Sequence, residues 1–280
     1  MIYILYNPLS NGNRGIKKLE KLKKLLSNST EKVTVKNLLE IYDIKGFAST
    51  ITADDTTYLI GGDGTFNNFI NLTEEKDRIG RKLFLYSSGT GNDFVRNLTK
   101  NFKKPVDVTN KFIGFPIASF NKENLHFLNG VGLGVDGLVC HKVNTYGKFK
   151  TSFNYFKMAL SAFFSFKRTS VTVTVDGVEH KYKKVWMSTV MMGTYIGGGM
   201  KFTPKQVHSS DQLTAIIVHN ASLLKLLFML PTIYAGKHTI FKRQVEFIKG
   251  REITIEVDTP QYLQMDGEVF ANVSKFTARR

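Results

Sequence analysis

The sequence predicts an α/β domain on a parallel sheet followed by a mostly β domain, and three observations in the 280 residues carry that expectation. Three apolar runs in the first part each end in a turn rich in glycine or asparagine, after which a helical pattern begins. Past about residue 112 the texture changes to short alternating runs. There, Asp176 and Gly177 sit between two such runs, the signal of a type I′ hairpin. Strands alternating with helices imply parallel pairing, because each helix returns the chain across the sheet. The expected division is 1–111 for the α/β domain and 112–280 for a β sandwich or partly closed barrel.

Residues 1–6 form an apolar strand that stops at NPLSNGNRG, after which Ile16, Leu19, Leu22, Leu25 and Leu26 recur at helical spacing. Residues 33–38 and the run ending at Ile60 are further strands. Residues 58–71, YLIGGDGTFNNFIN, pass from strand to glycine loop to helix. Gly61, Gly62 and Gly64 let the backbone approach a ligand, and the N–H groups opening the helix point at an anion. Asp63 is the odd residue there, since a carboxylate repels bare phosphate. It fits if a divalent cation or a proton-bearing nucleophile intervenes, and it fits equally as the cap of a tight strand-to-helix turn. Residues 82–86 lead to a third loop, SSGTGNDFVRNL, again ahead of a helix. Such loops gather at the carboxyl ends of parallel strands, where α/β folds hold nucleotides. Neither Rossmann glycine spacing nor a Walker lysine is present.

In the second half, strands are expected at 111–118, 125–129, 171–183, 185–192, 213–219, 245–248, 253–257 and 262–265. Helices are expected at 152–166 and 222–234, with Pro231 kinking or ending the latter. Residues 148–168 interleave Phe149, Phe153, Tyr155, Phe156, Phe163, Phe164 and Phe166 with lysines and serines. Most of that aromatic stripe should pack on the β half, leaving its basic ends for an anionic interface.

A formal net charge of +16 attracts polyanions. No RNP1-like or OB-type motif accompanies it, so the expected partner is an anionic membrane surface or a phosphorylated small molecule rather than nucleic acid. The single cysteine, Cys140, excludes an internal disulfide and fits a reducing cytosol as a structural thiol. The six histidines show neither HExxH nor zinc spacing, so any metal should be a hard ion on oxygen ligands. With no leader pattern and no apolar run of spanning length, the expected location is cytoplasmic, peripherally associated with the inner face of the plasma membrane. A homodimer stays open.

NPLSNGNRG, GGDGTFNNFIN, SSGTGNDFVR, NGVGLGVDG, GGGMKFTPK and QMDGE, in this order, resemble the diacylglycerol kinase catalytic domain of soluble bacterial lipid kinases, relatives of sphingosine and ceramide kinases. The resemblance implies a nucleotide-binding α/β domain joined to a β sandwich that carries the acceptor side. It further implies transfer of the ATP γ-phosphoryl group, with Mg2+, to a lipid hydroxyl, most directly that of diacylglycerol to give phosphatidic acid. Carried onto this chain, it places the nucleotide on Asn7, Gly61, Gly62, Gly64, Thr65, Gly89, Thr90, Asn92 and Glu268. It places the metal on Asp63, Asp93 and Asp107, and catalysis on Asp266 as general base together with Asp63; Asp266 also reads as an ordinary aspartate of a DG hairpin turn. Two departures stand out: Asn68 replaces a usual glutamate, and Ser210 and Thr214 stand where related enzymes place the acids of a second metal site. The alternatives are an NAD kinase-like transferase with a soluble acceptor, and an inactive polyanion- or membrane-binding relative.

Overall fold

A computed structural model describes residues 1–78, 81–146 and 152–280, the side chains of 146 and 152–156 excepted. The chain divides into two compact units, Met1–Phe115 and Pro116–Arg280.

The first unit contains β1 (Ile2–Tyr6), α1 (Arg14–Leu25), β2 (Val33–Asn37), α2 (Ile44–Thr50), β3 (Thr56–Gly61), α3 (Asp63–Leu72), β4 (Lys82–Ser87), α4 (Asp93–Leu98) and β5 (Val106–Asp107). The sheet order is β2-β1-β3-β4-β5, parallel except for β5. α1 buries Leu19 and Leu22 against Ile2, Ile4, Ile60 and Tyr86, which leaves Lys17, Lys21, Lys23 and Lys24 in solvent while Lys18 lies over the Tyr86 ring. Each such leucine contributes on the order of 2 kcal/mol on burial. Because β2 and β3 lie on opposite sides of β1, the chain winds in opposite directions from β1 and from β3. The loops after these two strands therefore open onto a crevice at the carboxyl edge of the sheet, the point at which α/β sheets take ligands.

The expected strand at 111–118 is absent, and pairing begins only at 117. Phe112 and Phe115, both buried, pack edge to face with each other and against Phe94, so these apolar residues anchor a loop.

The second unit contains β6 (Ile117–Phe120), β7 (Glu123–His126), β8 (Gly130–Gly134), α5 (Val135–Tyr146), α6 (Ser152–Ser165), β9 (Thr169–Val175), β10 (Val178–Met191), β11 (Tyr195–Ile196), β12 (Met200–Lys201), β13 (Leu213–His219), α7 (Leu223–Tyr234), β14 (Val245–Gly250), β15 (Glu252–Met265) and β16 (Glu268–Arg279). Its main sheet runs β14-β13-β10-β8-β15-β16-β6-β7, with β9 bridging β10 and β15. β10 and β15 are long strands that pair with β9 in their first half and β8 in their second. A bulge marks each change of partner, between Tyr182 and Val185 and between Glu256 and Gln261, and folds the sheet over its own core. Each of these strands spans two of the expected ones.

The β9–β10 turn has φ 47° at Asp176 and 85° at Gly177, as a type I′ turn requires. Pro231 lies inside α7 without ending it, and the helix continues to Tyr234. α5 and β16 were not expected as elements. Of the aromatic segment, Phe149 and the side chains of Phe153, Tyr155 and Phe156 lie outside the described residues. Phe163 and Phe166 pack on the core beside Trp186, and Phe164 is exposed.

Candidate functional site

In the first unit, the loops after β1, β3 and β4 are tied into one platform. Asn7 N–H donates to the Ile60 carbonyl at 3.0 Å, and Asn7 Nδ2 donates to Thr65 Oγ1 at 3.1 Å. Ser88 Oγ donates to Ser10 Oγ at 2.9 Å, and Ser88 N–H to the Gly61 carbonyl at 2.7 Å. Asn11, Gly12 and Asn13 take φ of 47°, 59° and 67° in succession, a left-handed turn that these residue types tolerate.

The glycines of this platform differ in why they are glycine. A Cβ on Gly61 would stand 2.4 Å from Thr65 Cβ, since α3 turns straight back over the end of β3. A Cβ on Gly62 would lie 2.9 Å from Gly89 Cα, and one on Gly89 would lie 2.8 Å from Gly62 Cα, so two backbones pass where neither could carry a side chain. Gly64 has no such reason: it is exposed, and a Cβ there would meet nothing within 4 Å. Glycine early in a helix is less favourable than alanine by up to about 1 kcal/mol, so open room above Gly64 is what a ligand needs and the fold does not. No side chain caps the first turn of α3, whose amides and dipole favour an anion.

Asp63 turns away from that opening. Its Oδ2 accepts the Asp93 N–H and its Oδ1 the Phe94 N–H, each at 3.0 Å. The expectation that Asp63 caps its own helix is therefore overturned: no side chain caps α3, and the helix whose first amides Asp63 accepts is α4. Burial pushes the Asp63 carboxyl up from its ordinary range, against the amides of Phe94, Asp93 and Asn92. Asn92 starts α4 in a left-handed conformation (φ 53°), donating Nδ2 to the Gly89 carbonyl at 3.1 Å. Its Oδ1, like Asn11 Nδ2, is buried with no partner among the described residues. Thr90 is exposed on the same loop.

The metal expectation needs correction. Asp107 pairs with Phe84, three residues before Ser87, so it sits away from the loops. Its carboxyl accepts the Thr109 hydroxyl and amide, which hold it below the usual range. Asp63 spends both oxygens on amides. Among the described residues no group of three or more His, Cys, Asp or Glu side chains is placed to hold a metal. Asp93 is buried at the start of α4, so of the three carboxylates Asp63 and Asp93 share the α3–α4 junction and Asp107 stands apart from them.

In the second unit, Asp266 and Gly267 form the β15–β16 turn with φ of 51° and 94°. The Asp266 carboxylate accepts the N–H groups of Leu128 at 2.5 Å, Asn129 at 2.8 Å and Gly130 at 3.2 Å, and its own N–H donates to the Gly130 carbonyl at 3.1 Å. It is thus a turn aspartate, and it anchors the entry to β8. Glu268 is exposed where β16 begins. Where a second metal site was in question, Thr214 Oγ1 donates to Gln206 Oε1 at 2.6 Å and Ser210 Oγ accepts the Gln212 N–H at 3.1 Å, a neutral network.

A residue outside the sequence expectations is Asp136, in the first turn of α5. Its Oδ2 accepts Thr189 Oγ1 at 2.9 Å and Gln264 Nε2 at 3.3 Å, and its buried Oδ1 has no partner among the described residues. Burial pushes this carboxyl up. The signal was present in NGVGLGVDG, where glycine strips β8 of side chains: a Cβ on Gly132 would stand 2.7 Å from Asp136 Oδ2.

Comparison with known proteins places this fold and these loops in a family. Residues 1–114 match the diacylglycerol kinase catalytic domain, and residues 129–278 match the YegS C-terminal NAD kinase beta sandwich-like domain. The chain belongs to the family of the YegS C-terminal NAD kinase beta sandwich-like domain, whose match spans more than half of it, and its first 114 residues match the diacylglycerol kinase catalytic domain. It is 26% identical over 229 residues to a Bacillus subtilis protein named "Putative lipid kinase YtlR", covering 75% of this chain and 73% of that one. It is 25% identical over 221 residues to a Mycobacterium tuberculosis diacylglycerol kinase, covering 76% and 70% respectively. A crystal structure of a diacylglycerol kinase from Bacillus anthracis, 19% identical, superposes with a TM-score of 0.65 over 100% of this chain and 93% of that one, a likeness of fold.

Proposed function

We propose that the protein transfers the γ-phosphoryl group of ATP to a lipid hydroxyl, with diacylglycerol as acceptor and phosphatidic acid as product. The observation that carries this reading is the platform of three interlocked loops, with an uncapped helix start and open room at Gly64, in a chain of this family. Phosphoryl transfer asks a protein chiefly to position the phosphates and neutralise their charge, which backbone amides on a rigid platform do. Gly62 and Gly89 keep the floor free of side chains, and Asn7, Ser10, Thr65 and Ser88 hold the loops in register. Magnesium enters as the counter-ion of the nucleotide. Asp266 takes the acceptor's proton in this reading, a contribution of roughly 10²- to 10⁴-fold for a positioned base.

The test is transfer of labelled phosphate from ATP, with magnesium, to a panel holding diacylglycerol, other lipid alcohols and NAD. Label in the diacylglycerol fraction is the expected result. Label in NAD alone would move the protein to the soluble-acceptor class. No transfer to any acceptor and no ATP hydrolysis would mark an inactive relative.

A further inference from the structure

α7, LLKLLFMLPTIY, carries one charged residue in 12, yet only one of its sides is covered. Leu226 and Met229 are buried in a cluster with Trp186, Ile216 and Val245. On the opposite side Leu224 (79% exposed), Phe228 (71%), Pro231 and Ala235 follow one another at helical spacing, with exposed Tyr234 and Ile240 beside them. A helix apolar all round is normally enclosed by protein or lies in lipid, and contiguous exposed apolar surface marks an interaction site.

The start of this helix borders a basic cavity. Arg168, Lys183 and Lys184, with Thr169, Ser170 and Asp258, line a recess of about 410 Å³. It adjoins the residues just before α7: Arg168 Nη1 donates to the Ala221 carbonyl at 3.0 Å, and Asn220 N–H donates to the Lys184 carbonyl at 3.3 Å. The bulge in β10 produces it, since Lys184 takes φ 54° and leaves the ladder beside Lys183. Ser222, the next residue, caps α7 through its hydroxyl.

We propose that the outer face of α7 and the basic recess at its start form the surface on which this protein docks to an anionic phospholipid membrane. The charge selects the occupant: cations at the edge of an apolar stripe match headgroup phosphates above acyl chains, and the whole chain carries +16. The helix lies along the interface and does not cross it, for 12 residues reach only about 18 Å. Among the described residues no helix is long and apolar enough to span a bilayer. The proposal deepens the lipid-kinase reading and rests on it, since an enzyme with a lipid acceptor must meet that acceptor at an interface. It adds α7 to the membrane contact expected of the basic ends of the segment at 148–168, of which Arg168 lines the recess.

The experiment is co-sedimentation of the full chain, without nucleotide, with phosphatidylcholine vesicles and with mixed phosphatidylcholine–phosphatidylglycerol vesicles. Wild type should pellet with the mixed vesicles. Leu224→Glu/Phe228→Glu and Lys183→Glu/Lys184→Glu should each lower partitioning by about tenfold or more. Melting temperatures should not change, because all four side chains are exposed. Both variants should still phosphorylate a short-chain acceptor dissolved in water, so loss of docking is separable from failure of the kinase reading, which would abolish transfer in wild type as well. Equal pelleting of the Leu224→Glu/Phe228→Glu variant, or no pelleting of wild type, overturns the proposal. So does light scattering that shows a wild-type dimer split by Leu224→Glu/Phe228→Glu with no vesicle binding, which would assign the stripe to a second copy of the chain.

Discussion

Gly62 and Gly89, 27 residues apart in sequence, meet backbone to backbone: a Cβ on either would stand under 3 Å from the Cα of the other. The loops after β3 and β4 can share one floor only because neither residue has a side chain. Gly62→Ala or Gly89→Ala must push these loops apart, at a cost of roughly 1–3 kcal/mol typical of overpacking. Chemical denaturation followed in the first unit should show that loss, and ATP affinity should fall with it.

Gly64→Ala should behave in the opposite way. The position is open and early in a helix, so the fold should keep its stability or gain up to about 1 kcal/mol. ATP binding, measured by calorimetry, should weaken by about tenfold or more if phosphate fills the space the methyl would take. Stability and binding moving together would refute a ligand above Gly64.

Asp266→Asn is a structural substitution before it is a catalytic one. Three N–H groups converge on the carboxylate, and the asparagine amide keeps one acceptor oxygen but turns its NH2 donors toward at least one of them. A stability loss of about 1–3 kcal/mol is expected. Turnover of this variant therefore has to be compared at a temperature where circular dichroism shows both proteins folded. An unchanged kcat there would remove the base role.

Asp136 predicts a pH dependence of stability. Burial raises its folded-state pKa above the ordinary carboxylate value, so the folded chain keeps a proton that the unfolded chain releases. The contribution of this group is fully present below the unfolded value and is lost as pH rises through the folded one. Asp136→Asn, which cannot ionise, should match wild type near pH 4 and become the more stable of the two as pH rises. Melting curves across that range check the sign, and parallel curves would contradict it.

What was legible follows from which forces are local. The strand-to-loop passages at 6–7 and 60–62 stand where expected, because an apolar run meeting Asn-Pro or Gly-Gly has few ways to continue. Of the four DG pairs, Asp176–Gly177 and Asp266–Gly267 take positive φ at both positions, whereas Asp63–Gly64 and Asp136–Gly137 lie in the first turns of helices. β8 and α5 were harder, since GVGLGVDGLV lacks the side chains that reveal a period. Its strand exists because β10 and β15 pair on either side of it. Phe112 and Phe115 imitated a strand because burial of an aromatic ring says nothing about the backbone that carries it.

The amino-acid order alone determined where this backbone could turn, because a positive φ at glycine, asparagine or aspartate is a property of one residue and its neighbours. It also determined the family, through loops whose residue types recur in sequence. Only the folded chain decided where the carboxylates went: Asp63 to the amides of α4, Asp266 to those of residues 128–130, Asp107 to Thr109. A carboxylate accepts from whatever donor the fold delivers within about 3 Å, and for Asp63 and Asp266 that donor lies far along the chain.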